Sequence, residues 1–253
     1  LVQADSQEVG WYSAAREIAR LSAMMMPVLT GVLVPMMSRA MHNDENEFYR
    51  LVRRGMEGVC VVSMPLTLLL ALSAKFAVGF VLRQEFEPAH YSLAWLAPTF
   101  VLAYVNSLLW LALMIMKRSW TITIVSIIGT ALLPILILIA APLTRGTGDG
   151  KMGMGVAMAL SARELILAVV YLAIVGKRAL DARATGAIVK SLGICAAVVA
   201  THVLLASLGD LRLLVDALLY GALALALRVI RIGDVLNLLR LIKNRRQLQA
   251  EAT

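Results

Sequence analysis

Runs of about twenty consecutive apolar residues recur along this chain, and no other feature restricts its folding so tightly. A helix rises 1.5 Å per residue, so roughly 20 residues cross a hydrocarbon core of about 30 Å. Seven such runs can be marked, near residues 18–37, 56–74, 93–116, 120–141, 154–175, 188–208 and 211–230. The first helix is expected to begin earlier, near Val9. Composition agrees: 60% of the 253 residues are hydrophobic and 16% are charged, with mean hydropathy +0.81. Soluble domains carry about 25% charge, and one of this size lacks the interior to hide so much apolar side chain. The alternating segments of about ten residues that build a membrane barrel are absent from the sequence. The chain therefore reads as an all-α polytopic membrane protein. A bundle of about seven transmembrane helices fills residues 1–230, and a basic amphipathic tail occupies 231–253.

The net charge of +8 and pI of about 9.9 do not point to nucleic acid as a partner, because of where the basic residues fall. Sixteen lie in the loops after the first, third and fifth runs and in the tail, against seven in the alternate loops. Short loops rich in Lys and Arg face the cytoplasm. The chain is thus expected to enter its first span from outside and to end in the cytoplasm, with the Gly-rich stretch 146–150 as an outer turn. Segments 45–54 and 232–248 set apolar residues against basic ones and are expected to rest on anionic lipid headgroups.

Cys60 and Cys195 each stand alone inside an apolar run, so both are read as small core residues, with no metal or redox role. The sequence holds no Gly-rich phosphate loop, nucleophile elbow or paired-carboxylate motif. No cofactor is expected, and the chain is not expected to be an enzyme. Its start, Leu1 to Asp5, has neither an initiator Met nor the pattern of a signal peptide, which leads us to expect a fragment of a longer protein.

The stretch Val9-Gly10-Trp11-Tyr12-Ser13-Ala14-Ala15 leads into an Arg-bearing helix, then Pro27, then Leu33-Val34-Pro35-Met36-Met37-Ser38. This pattern resembles a segment of the polysaccharide-unit flippases of the multidrug/oligosaccharidyl-lipid/polysaccharide exporter superfamily. Phe86-Glu87-Pro88-Ala89 and the basic pair Lys117-Arg118 between two long helices are similar to that family as well. The resemblance covers roughly residues 8–180. It implies helices eight to fourteen of a fourteen-helix transporter, one lobe of two, with the N-terminal lobe missing. It also implies a location in the bacterial inner membrane and a lipid-linked oligosaccharide as substrate. The family places both termini of the whole transporter in the cytoplasm, so its eighth helix enters from outside, the orientation that the Lys and Arg distribution gives independently.

A carrier of polyprenyl-diphosphate-linked sugars needs a polar cavity and helices that can bend. Pro27, Pro35, Pro65, Pro98 and Pro134 fall within the expected spans, where each removes a backbone donor. Arg16 and Arg20 lie on one stripe of the first helix with Tyr12. They are either guanidinium forks for phosphate or carboxylate oxygens, or snorkelling side chains beside Glu17. Arg163 and Glu164 sit near the middle of the fifth run, where a charge costs about 2.5–3.5 kcal/mol on insertion scales and usually marks a pathway. Neighbouring positions are about 100° apart on a helix, so each is expected to find its partner elsewhere.

Arg16, Arg20, Asn106 and Arg163 are therefore the candidate substrate-binding residues. Glu164 is the candidate group for coupling transport to a proton or sodium gradient. Asp216 is expected to pair with Arg212, and His202 to hydrogen-bond between helices or line a cavity. The expected partners are the lipid-linked oligosaccharide, membrane lipids, the coupling ion and the missing lobe. Alternatives are a multidrug/cation antiporter of the same superfamily, a non-transporting subunit of a polysaccharide synthesis complex, or a membrane-embedded transferase.

Overall fold

The computed structural model describes residues 6–22, 24, 26–144, 148–205, 209 and 211–227. Among them the structure is helical throughout, without strands. The helices are α1 (Ser6–Ser22), α2 (Met26–Asn43), α3 (Glu45–Leu72), α4 (Ala74–Val81), α5 (Ala89–Ile115), α6 (Ser119–Thr144), α7 (Lys151–Val175), α8 (Ala182–Leu204) and α9 (Arg212–Ala226). Single 3₁₀ turns, Gln84–Phe86 and Lys177–Ala179, precede α5 and α8. Helices α3, α5, α6 and α7, and residues 184–204 of α8, are long and apolar enough to cross a membrane. The chain is an all-α polytopic membrane protein.

The structure departs from the expected spans at three places. The apolar run 18–37 is divided between α1 and α2 instead of forming one helix from near Val9. Hydropathy cannot register such a break, because Met24 to Met26 are as apolar as a helix interior. Segment 45–54 is not a separate surface helix. It is the first part of α3, which starts at Asp44, whose carboxylate accepts the N–H of Asn46 at 2.9 Å, and runs 28 residues without interruption. The seventh run holds the 15-residue α9. The tail 232–248, the outer turn residues 146 and 147, and the ends 206–208 and 228–230 lie outside the described residues.

The chain divides into two compact units, Leu1–Ile188 and Val189–Thr253. In the first, α5 packs against α1, α3 and α7, and α6 packs on α7. One apolar core gathers Phe48, Val52, Leu108, Leu109, Leu113 and Tyr171; a second gathers Ala15, Val78, Ala89, Leu93, Leu96 and Ala157. The small residues have a purpose here. A Cβ on Gly155 would lie 2.7 Å from the Ala140 carbonyl oxygen, so glycine lets α6 and α7 touch backbone to backbone. The remaining face of α6 shows Ile124, Ile127, Ile128, Ile135 and Leu138 outward, as a helix surrounded by lipid would.

Both ends of this unit are fastened by polar contacts. At one end Glu8 of α1 accepts the N–H groups of Gly150 (2.8 Å) and Gly153 (3.2 Å), capping α7 at its electropositive start. Close by in sequence, the Trp11 indole N–H donates to the Glu85 carbonyl at 2.8 Å. At the other end Arg178 pairs with Glu45 at 3.3 Å and Arg53 with Asp181 at 3.5 Å. Arg118 donates to the carbonyl of Ile174 at 3.3 Å, a cation at the C-terminal end of α7. Arg53, Arg118 and Arg178, three of the basic groups expected on the cytoplasmic side, thus lie at one end of this unit.

In the second unit, the pair expected between Arg212 and Asp216 is not formed. Buried Asp216 instead takes its hydrogen bond from His202 Nδ1. Arg212, at the helix start, has water and headgroups to solvate it; a carboxylate buried one turn further in needs a partner inside.

A polar cavity between α5 and α7

Midway along α5, Asn106 faces α7, and its amide ties the two helices together. Nδ2 donates to the backbone carbonyl of Glu164 at 3.0 Å and to its carboxylate Oε2 at 2.8 Å. The other carboxylate oxygen, Oε1, receives Arg163 Nη1 at 2.8 Å. Arg163 Nε donates to the carbonyl of Gly129 on α6 at 3.1 Å. One cluster therefore links three helices.

This corrects the expectation that Arg163 and Glu164 find separate partners. The angular argument holds for their Cβ atoms but not for their ends. The arginine side chain is long enough for Nη1 to reach the neighbouring carboxylate while Nε reaches the Gly129 carbonyl on α6. Arg163 and Glu164 are 23% and 16% exposed, so each charge is largely withdrawn from solvent and neutralised by its neighbour. A paired charge avoids most of the cost of an isolated one in hydrocarbon.

The cluster forms one wall of an open cavity of about 310 Å³. Ala103, Ser107 and Trp110 complete the α5 side, and Leu167 and Tyr171 the α7 side. The Tyr171 hydroxyl lies 3.4 Å from Ser126 Oγ on α6. Ser161 Oγ donates to the Trp95 carbonyl at 2.7 Å, a second polar tie between α5 and α7. The volume is at the lower end of the ~300–1,000 Å³ typical of small-molecule sites.

Of the residues singled out from sequence, the structure brings Asn106, Arg163 and Glu164 together. It does not place Arg16 or Arg20 with them. Ala15 is the buried residue of that turn of α1, which leaves Arg16 and Arg20 on the exposed side, with Arg20 Nη1 3.4 Å from Glu17 Oε1. An exposed pair of this kind contributes little to stability and agrees with snorkelling toward headgroups.

Trp110 was not evident from sequence, although it lies four residues, one helical turn, beyond Asn106. The Glu8 cap on α7 left no sequence signal, since its partners are backbone groups 142 and 145 residues away. Among the described residues no cluster of His, Cys, Asp and Glu could hold a metal ion.

Fold and cavity together define a multi-pass membrane protein with a neutralised charge pair beside an open cavity between α5 and α7. Residues 3–91 match the family model described as "Polysaccharide biosynthesis protein". The matched stretch runs from before α1 into the first turn of α5, and so contains the Val9–Ala15 motif; the cavity residues lie beyond it. The match is consistent with a role in polysaccharide synthesis or export. No curated protein and no solved structure matches the chain.

Proposed function

We propose that this chain forms one lobe of a flippase that moves polyprenyl-diphosphate-linked oligosaccharide units across the bacterial inner membrane. The observation that carries the reading is the Asn106–Glu164–Arg163 cluster, a charge pair midway along apolar helices that borders the open α5–α7 cavity. Ionisable groups at that depth are expensive to keep and belong to pathways more often than to scaffolds. The family match over residues 3–91 supports a glycan as the substrate.

In this reading the protein makes and breaks no covalent bond and takes its energy from a proton or sodium gradient. Glu164 couples the two. A proton on its carboxylate would displace either Arg163 or Asn106 from an oxygen, and so loosen α7 from α5 as substrate passes. The partners are the lipid-linked oligosaccharide, the surrounding lipids, the coupling ion and a second lobe, and the chain ends in the cytoplasm.

The test is reconstitution of the full-length protein in proteoliposomes with a fluorescent lipid-linked oligosaccharide and an imposed pH gradient. Flipping should follow the gradient in the unaltered protein and become independent of it in Glu164→Gln. A protein that flips nothing under any gradient would refute the transport reading and favour a subunit of a synthesis complex.

A further inference from the structure

We propose that the α5–α7 cavity receives an uncharged sugar ring of the transported unit, stacked on Trp110, and not its diphosphate. This rests on the transport reading above and narrows it, because it says which part of the substrate enters the cavity.

Charge comes first. An anion site needs a cation whose charge is unspent. The charged groups lining the cavity are Arg163 and Glu164, and they neutralise each other at 2.8 Å. Arg163 Nε is engaged as well, by the Gly129 carbonyl. A diphosphate here would meet no free guanidinium and would lie beside the Glu164 carboxylate, a like-charge contact that binding sites avoid. The cavity is therefore neutral while the pair is closed.

Shape and hydrogen bonding come next. A sugar ring presents an apolar C–H face and a rim of hydroxyls. Trp110 is 41% exposed and offers a broad apolar surface at the cavity, the kind of surface an aromatic side chain provides to a flat apolar partner. Around it stand groups that exchange hydrogen bonds with hydroxyls, namely the Ser107 and Tyr171 hydroxyls and the paired Glu164 carboxylate. Asn106 is 8% exposed, and among the described residues its Oδ1 has no hydrogen-bond partner while both bonds of its Nδ2 are made. That oxygen is itself closed off from the cavity, so Asn106 shapes the wall by holding the Glu164 carboxylate and not by touching a ligand. An apolar wall with a few placed polar groups is the usual form of a small-molecule site.

The experiment is ligand-observed saturation-transfer NMR on the full chain in lipid nanodiscs at pH 7. The probes are methyl glycosides of glucose, galactose, mannose, rhamnose and N-acetylglucosamine, with glucuronate and inorganic pyrophosphate as anionic counterparts; pyrophosphate, which carries no C–H proton, is read by its displacement of the glycosides. At least one neutral glycoside should bind, with its ring C–H protons receiving the strongest saturation, and the anions should bind at least tenfold more weakly. Trp110→Ala should weaken the neutral glycoside about tenfold, while Trp110→Tyr keeps most of the affinity. Glu164→Gln exposes the charge of Arg163, and pyrophosphate should then compete with the glycoside.

The proposal is overturned if no neutral glycoside binds, if either anion binds the unaltered chain more tightly, or if Trp110→Ala changes nothing. Flipping in proteoliposomes is read separately. Glycoside binding without flipping refutes the transport reading and leaves the subsite in place. Flipping without glycoside binding refutes the subsite alone.

Discussion

At the scale of single residues, the Arg163–Glu164 pair is the most consequential contact. Removing one member of a largely buried pair strands the other, at a cost of about 3–5 kcal/mol in comparable soluble cases. Arg163→Met alone should lower the thermal midpoint of the detergent-solubilised protein markedly. Arg163→Met with Glu164→Leu should recover most of it while leaving flipping abolished. Equal stability of the single and double variants would mean that the pair is not coupled. Glu87 offers a separate test outside the membrane spans. A hydrogen bond from Lys75 (3.0 Å) and its charge hold the Glu87 carboxyl below the usual carboxylate range. Because the folded-state value is the lower one, any stability it contributes is present above the unfolded value and fades as pH falls through the folded one. In Lys75→Gln the titration of Glu87, followed by NMR with a labelled carboxyl, should move up toward the ordinary value; an unmoved titration would exclude Lys75 as the cause.

At the scale of elements, close glycine packing and a remote cap decide how α7 sits. Gly155→Ala should separate α6 from α7, because its Cβ meets the Ala140 carbonyl, which cannot swing aside. A destabilisation of about 1–3 kcal/mol is expected, as for other overpacked sites, read as a drop in thermal midpoint. Glu8→Ala should cost about 1–3 kcal/mol through two lost charge-assisted bonds. Glu8→Gln, which keeps an acceptor oxygen, should cost less, and equal losses would assign the effect to packing and not to the cap. These elements also show what the sequence could reveal. The positions of α3, α5, α6, α7 and α8 follow from apolar runs and their flanking charges, since a bilayer imposes length and composition directly. The break between α1 and α2 and the continuity of α3 through Arg53 and Arg54 do not, because hydropathy averages over backbone direction. That Arg163 and Glu164 would be withdrawn from solvent was legible from their place in mid-run. Their mutual pairing was not, because it depends on where the arginine's reach meets the Gly129 carbonyl on α6, which only the packed helices define.

At the scale of the whole molecule, the orientation expected from the Lys and Arg distribution is open to a direct test. With Cys60 and Cys195 replaced, a single cysteine at position 148 should react with an impermeant reagent from outside, and one at position 117 only after the membrane is opened. The reverse pattern would overturn the topology. A last consequence follows from the bond between Glu8 and the start of α7, which joins residues 142 positions apart. A ribosome adding about 5–20 residues per second needs roughly 7–28 s to pass from one to the other. Throughout that interval the nascent α1 has its carboxylate and indole in place but no receptor for the former. Final seating of the first helix is therefore a late event of biogenesis, and a chain arrested before Gly150 should present α1 to membrane proteases that a completed chain excludes.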